Sequence, residues 1–146
     1  MDQNTEQKQV LISDALAQFA TGLDGTKIPA EVRLRAKLLM LDAVGVAFAS
    51  SRFEFARTTL NALREFGSGD IAVIGVPDKL ALRDAVLMNS VLVHGIDYDD
   101  TYLPGSVHLT ASCVPVSLGV GSHRGVSRSE EHTSELQSHH DLVCRL

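Results

Sequence analysis

The segment from residue 94 to residue 108 carries side chains that can do acid–base chemistry. It reads HGIDYDDTYLPGSVH, so two histidines, three aspartates and a threonine fall within one short stretch. Histidine changes its charge near neutral pH, and a carboxylate can accept a proton or hold a cation. The segment therefore predicts proton transfer, carboxylate binding or metal binding, and each of these has a structural alternative.

His108 is the candidate for proton transfer or for a hydrogen bond to a carboxylate substrate. A helix is expected to begin about two residues later, and its positive end favours an anion nearby. A helix-capping or core histidine remains the alternative. Thr101 can orient a substrate carboxylate or bond to the backbone of its own turn. His94 ends an apolar helix and is interpreted as structural, bonded to a nearby carbonyl or aspartate.

The three carboxylates of Asp97, Asp99 and Asp100 are spaced so that they could hold a hard cation. The pattern of an EF-hand is absent, however, because there is no glycine at its sixth place and no terminal glutamate. We interpret Asp99 and Asp100 as caps and turn formers and predict no metal site. Cys113 lies on an apolar helix with no base spaced to activate it, so it is interpreted as a buried small residue.

Apolar residues at helical spacing predict an all-α fold that is mostly helical, with one short strand or hairpin. The expected elements are helices from about Val10 to Gly22, from Ile28 to Ala49, across Phe55–Phe66, from Leu80 to His94 and from Thr110 to Gly121, and a strand or hairpin at 71–78. The second helix ends in LLMLDAVGVAFA, which predicts burial on all sides and a close helix crossing at Gly45. Several helices lack a polar face, which indicates missing sequence, a partner subunit, or both.

Length and composition exclude several classes of protein. The 146 residues fit one domain, and 45% hydrophobic with 21% charged residues is globular rather than disordered. A formal net charge of −5 argues against a nucleic-acid partner. Two cysteines make no disulfide framework, the polar N-terminus is not a signal peptide, and the longest apolar run is too short to cross a bilayer. We expect a cytoplasmic protein with no membrane partner.

The C-terminal stretch differs from the rest of the chain. Arg128–Ser138, RSEEHTSELQS, resembles a translated DNA-sequencing adapter, and Asp141–Leu146, DLVCRL, resembles its continuation in the same frame. We therefore divide the chain into a natural part, residues 1–127, and an artefact at 128–146 that is disordered or non-native. The alternative is a weakly metal-binding tail through His132, His139 and His140, but their spacing is poor for zinc.

Between Leu11 and Gly121 the chain resembles the N-terminal part of the MmgE/PrpD family. The resemblance is carried by AKLLMLDAVGVA (36–47), AVIG (72–75), NSVLVHGIDYDDT (89–101) and LPGSVH (103–108). Its specific part is H-x-x-D-[FY]-D-D-T followed by a histidine eleven residues after the first aspartate. Leu109 departs from the pattern, since many members have proline there.

The resemblance implies a large helical domain, a smaller lid domain that lies beyond this sequence, and a homodimer. It implies action on small di- or tricarboxylates, as in 2-methylcitrate dehydratases and cis-aconitate decarboxylases, with no organic cofactor and mostly no metal. Asp97 and Thr101 would help to hold the substrate, and His108 would contact its carboxylate or assist proton transfer.

Two functions follow as expectations. The first is a fragment of a cofactor-independent lyase or isomerase of carboxylic acids, inactive by itself because no Lys or Arg occurs between Arg83 and Arg124 and the second half is missing. The second is a non-enzymatic helical binding or assembly module with an acidic loop.

Overall fold

The computed structural model describes residues 11–126, so the segment assigned to an adapter lies outside the described residues. The helices are α1 (Ile12–Gly22), α2 (Ala30–Ser50), α3 (Glu54–Arg64), α4 (Leu82–His94) and α5 (Thr110–Arg124), and the strands are β1 (Ile71–Ala72) and β2 (Lys79–Leu80). Two short 3₁₀ turns lie at Gly25–Lys27 and Leu103–Gly105. The predicted mostly helical class is confirmed.

Helix α4 is the centre of the core, because it packs against α2, α3, α5 and the hairpin. Its side chains Met88, Leu92 and Val93 are fully buried, and small residues such as Ala43 and Ala47 of α2 pack in the same cluster. Packing against these neighbouring elements therefore fixes the positions of both ends of α4. The C-terminal end, at His94, leads directly into the segment with the acid–base residues.

The close helix crossing lies at Gly119 and not at Gly45. A Cβ atom at Gly119 would come within 2.6 Å of Val86 Cγ2 on α4, whereas one at Gly45 would meet nothing within 4 Å. The prediction for Gly45 is wrong because that residue is on the exposed side of α2. Glycine on α5 lets this helix approach α4 closely, which sets the position of the α5 N-terminus relative to the end of α4.

The end of α2 is buried on one side only. Ala43, Ala47 and Ser50 have no exposed surface, but Leu41 is 70% exposed and Phe48 is 55% exposed. The expected burial on all sides is thus wrong for the described residues, because α4 and α5 cover only one face of the helix. Helix α1 has no buried residue at all. None of the helices in the described range is long and apolar enough to cross a membrane.

The predicted hairpin is confirmed as an antiparallel pair with Ile71 opposite Leu80. The side chain of Asn89 on α4 fastens it: Oδ1 accepts from the backbone N–H of Ile74 at 2.8 Å, and Nδ2 donates to the carbonyl of Ala72 at 3.1 Å. Asn89 is 4% exposed, so these bonds satisfy polar groups that water hardly reaches. Leu80, expected in the fourth helix, belongs to this hairpin instead.

Candidate functional site

The site begins where α4 ends. Gly95 follows His94, and a Cβ atom there would lie 2.3 Å from Phe55 Cζ and 2.7 Å from the carbonyl oxygen of Val91. Only glycine leaves room for this close contact. The chain then turns at Asp97, whose φ of 52° lies in the left-handed region and whose N–H donates to the carbonyl of His94 at 2.9 Å. Aspartate tolerates this conformation better than most residues.

A small closed loop returns the chain towards α4. Tyr102 and Val107 form an antiparallel bridge, in which the N–H of Tyr102 donates to the carbonyl of Val107 at 2.9 Å. Between them lie the 3₁₀ turn Leu103–Gly105 and Ser106, which has a φ of 50°. The bridge brings His108 back beside His94, so that the ring centroids are 5.0 Å apart and the rings are inclined at 65°.

Asp99 lies between the two histidines. Its carboxylate oxygens are each 3.2 Å from Nδ1 of His94, and Oδ1 is 3.3 Å from Nδ1 of His108. The side chain of Asp99 has no exposed surface. The expectation that His94 bonds to a nearby aspartate or carbonyl is confirmed. Asp99 is not a cap or a turn former, because its carboxylate contacts two side chains of the site.

Asp97 and His108 meet on the outer side of this group. Oδ1 of Asp97 is 4.0 Å from Nε2 of His108, and the Asp97 side chain is 84% exposed while that of His108 is 30% exposed. His94 and His108 line a shallow cleft of about 330 Å³. The other lining residues are Ser90, Val91, Ala111 and Ser112. Nε2 of His108 is therefore the ring nitrogen on the side of the exposed carboxylate.

Asp100 and Thr101 have different positions. Oδ1 of Asp100 accepts hydrogen bonds from the backbone N–H and the hydroxyl of Thr110, so Asp100 satisfies the start of α5, as expected for a cap. Thr101 is exposed, and its hydroxyl makes no hydrogen bond to any residue from 11 to 126. Of the three candidate residues, the structure brings together Asp97 and His108 and leaves Thr101 open at the start of the loop.

Cations approach the loop from α2. A cavity of about 250 Å³ is lined by Arg33 and Lys37 on α2, by Asp100 and by the first residues of α5. The segment between Arg83 and Arg124 contains no Lys or Arg. The fold places Arg33 and Lys37 in the lining of the cavity next to Asp100 of this segment. Cys113 also lines this cavity and is half-buried, so its expected full burial is wrong.

The only group in the described range that could hold a metal consists of His94, Asp97, Asp99 and His108, with one ligand atom from each within 4.8 Å of the others. Asp100 does not belong to it, because its carboxylate is bonded to α5. Ligand atoms around tetrahedral zinc are about 3.3 Å apart, as follows from Zn–N and Zn–O bonds of about 2 Å. The distances from the carboxylates to the histidine nitrogens are 3.2, 3.3 and 4.0 Å, and the expectation of no metal stays a prediction.

The sequence interpretation missed the role of Asp99 and of Asn89. Both were visible as polar residues inside or beside an apolar helix, which is the signal that a buried polar group needs a defined partner. Spacing gave no means to decide which of two adjacent aspartates points inward. That choice depends on the path of the loop.

Comparison with known proteins matches this chain to one protein family. The model of the MmgE/PrpD N-terminal domain matches residues 14–145. Cis-aconitate decarboxylase of Aspergillus terreus is 27% identical over 105 residues, which cover 71% of this chain and 21% of that protein. Human cis-aconitate decarboxylase is 27% identical over 112 residues, covering 73% and 23% respectively. The cis-aconitate decarboxylase-like protein oryM of Aspergillus oryzae is 24% identical over 136 residues, covering 92% and 27%.

The chain thus matches only about a quarter of the length of these relatives. No solved structure shows significant similarity to it. The family match also runs through most of the segment that we assign to an adapter. Sequencing of the source DNA would decide whether residues 128–145 are natural sequence or a translated adapter.

Proposed function

Because this chain belongs to the MmgE/PrpD family, we propose that it is the N-terminal part of a cofactor-independent lyase or isomerase acting on small di- or tricarboxylates. The observation that supports the proposal best is that Asp97 Oδ1 lies 4.0 Å from Nε2 of His108, a residue that also lines an open cleft. A cytoplasmic homodimer as the full-length form is part of the same proposal.

The chemistry of such a reaction needs an acid or base next to a bound carboxylate. In a dehydration, a base removes the proton α to the carboxylate and hydroxide leaves from the neighbouring carbon. In a decarboxylation, the C–C bond to CO₂ breaks and the electron pair left on carbon takes up a proton. The proposal assigns the proton to Nε2 of His108, because a histidine ring nitrogen can both take up and give up a proton. Thr101 donates its hydroxyl to a substrate carboxylate, and Asp97 orients the substrate or its neighbours.

Charge explains why this part of the protein is expected to be inactive by itself. A dianionic or trianionic substrate would approach three aspartates, whose carboxylates repel it unless cations lie close. Arg33 and Lys37 line the neighbouring cavity together with Asp100. They attract an anion to this face, and the remaining three quarters of the protein must supply the groups that contact its other carboxylates.

The experiment starts from the natural coding sequence beyond residue 127. The full-length protein is assayed with cis-aconitate and 2-methylcitrate, together with His108→Ala, Asp97→Asn and Thr101→Ala variants. His123→Ala, an exposed histidine near the end of α5, is the matched control. We expect the His108 variant to lose about 10²-fold to 10⁴-fold in kcat and the control to keep full activity. Full activity of His108→Ala, or turnover by the 146-residue chain alone, would contradict the proposal.

A non-enzymatic assembly module is the second candidate. The observation that favours it is the exposure of large apolar side chains on α1 and α2, among them Phe19 at 67% and Leu41 at 70%. Such surfaces mark contacts with other protein. The two candidates separate in the assay above, because a pure assembly role predicts no turnover of either carboxylate by the full-length protein.

A further inference from the structure

Asp99 is a buried carboxylate with two histidines as its partners. Its side chain has no exposed surface, and in the described part of the chain its contacts are with Nδ1 of His94 and Nδ1 of His108. A buried charge is costly unless a hydrogen-bonding partner compensates it. No Lys or Arg among residues 11–126 takes that role, so the two imidazoles stabilise this carboxylate.

The contact between Asp99 Oδ1 and Nδ1 of His108 determines which ring nitrogen of His108 carries hydrogen. An ionised carboxylate only accepts hydrogen bonds, so a nitrogen that pairs with it must be an N–H donor. Nδ1 of His108 is inaccessible to solvent and lies 3.3 Å from Asp99 Oδ1, although the pair is not aligned as a hydrogen bond. Such pairs are often loose in a site without substrate and become shorter when it binds.

We propose that Asp99 is a positioning residue, which holds Nδ1–H of His108 inward and so leaves Nε2 free on the side of the exposed Asp97 carboxylate. This inference rests on the proposed function, because it assigns Asp99 a role through His108. The same carboxylate holds His94 with its Nδ1–H inward, so that both rings stand at the wall of one cleft.

Burial is the reason for assigning this role to Asp99 and not to Asp97. The Asp97 side chain is 84% exposed, and water screens its interaction with His108 across 4.0 Å. Asp99 acts in a water-free position, where its interaction with an imidazole is stronger and its geometry is fixed by packing. A buried carboxylate that orients a histidine and determines its tautomer is a recurrent arrangement in hydrolases.

The tautomer of His108 can be observed directly and does not depend on catalysis. The uniformly ¹⁵N-labelled 146-residue chain is studied by long-range ¹H–¹⁵N correlation spectra at about pH 8, above the ordinary histidine pKa. We expect hydrogen on Nδ1 and none on Nε2 of His108 and of His94. Asp99→Asn should shift His108 towards the Nε2–H form that free histidine prefers, while Asp42→Asn, an exposed aspartate of α2, should change neither ring.

An Nε2–H tautomer of His108 in the folded, unmodified chain would overturn the proposal, and this result needs no variant to fold. An unchanged tautomer in a folded Asp99→Asn variant would overturn it as well. In the full-length protein, Asp99→Asn should lower kcat by about 10²-fold or more with little change in KM, and Asp99→Glu should restore part of that loss. If the full-length protein turns over neither carboxylate, the proposed function fails while the tautomer result stands by itself.

Discussion

The carboxylate of Asp100 accepts a hydrogen bond of 2.8 Å from the backbone N–H of Thr110, the first residue of α5, which lies ten positions later in the sequence. The bond joins the two ends of the loop that contains His108. Since the N–H groups at the start of a helix have no partner within the helix, a carboxylate at this place has the same effect as an N-cap. Asp100 thus connects the stability of α5 with the position of the candidate site.

Replacing Asp100 by alanine is expected to destabilise the chain. The loss of the cap should lower the free energy of unfolding by about 1 kcal/mol, as measured for other helix caps. Urea denaturation followed by circular dichroism measures it, with Asp70→Ala, an exposed loop aspartate, as the control. Equal midpoints for the two variants would show that the contact contributes nothing to stability.

Asn89 should be more sensitive than an exposed asparagine. Asn89→Ala removes two hydrogen bonds and leaves the N–H of Ile74 and the carbonyl of Ala72 without their side-chain partner. The expected cost is about 2 to 3 kcal/mol, since unsatisfied buried polar groups add to the lost bonds. The control is Asn61→Ala, because Asn61 is an exposed residue of α3 whose side chain accepts a single hydrogen bond, from Arg64, at the surface. Thermal and urea unfolding of both variants give the comparison, and a loss at Asn89 no larger than at Asn61 would contradict this account of the hairpin.

Gly45 of α2 and Gly119 of α5 should respond to alanine with opposite signs. At Gly45 the new methyl group meets nothing within 4 Å, so Gly45→Ala is expected to stabilise α2 by up to about 1 kcal/mol. At Gly119 the methyl group would be 2.6 Å from Val86 Cγ2, and α5 must move away from α4. Gly119→Ala should therefore lower the unfolding midpoint. The same sign at both positions would mean that the α4–α5 crossing is not as close as described.

The ion pair of Arg64 and Asp78 predicts that the stability of the fold depends on pH in the acid range. Arg64 at the end of α3 binds Asp78 in the hairpin turn through two contacts of 2.8 Å. The hydrogen bonds from Arg64 lower the pKa of the Asp78 carboxyl below its ordinary value of 3.8. A folded-state pKa below the unfolded one stabilises the fold above pH 3.8, and this contribution is lost as the pH falls through the lowered value.

A double-mutant cycle with Arg64→Ala and Asp78→Asn tests the pair. The coupling between the two positions should be present at pH 7 and should disappear as the pH approaches 2. High salt should also reduce it, because both side chains are partly exposed. A coupling that does not change between pH 7 and pH 2 would rule out the ionised pair as its source.

Magnesium, manganese and calcium are expected to leave the chain unchanged. Asp100 is bonded to α5 and Asp99 to the histidines, so the three neighbouring aspartates do not converge on one point. Titration calorimetry with magnesium, manganese and calcium should give heats equal to those of dilution. A saturable heat that Asp97→Asn abolishes would show a cation site after all.

Local patterns in the sequence were sufficient for the elements and for part of the site. Apolar spacing predicted the five α-helices of residues 11–126, because helix formation depends on neighbours three and four residues apart. The turn residues around Pro77 predicted the hairpin, and the position of His94 at the end of an apolar helix predicted an aspartate or carbonyl as its partner. The segment with Asp97, Thr101 and His108 could be selected because its polar residues lie between two apolar helices.

Only the tertiary structure distinguished Asp99 from Asp100 and Gly45 from Gly119. The bridge between Tyr102 and Val107 returns the loop to the end of α4, which turns Asp99 inward between two histidines and leaves Asp100 at the start of α5. Adjacent residues of the same type have the same local pattern, so contacts between distant parts of the chain decide their roles. Residue type thus determined which groups were available, and packing of α5 against α4 decided which of them meet.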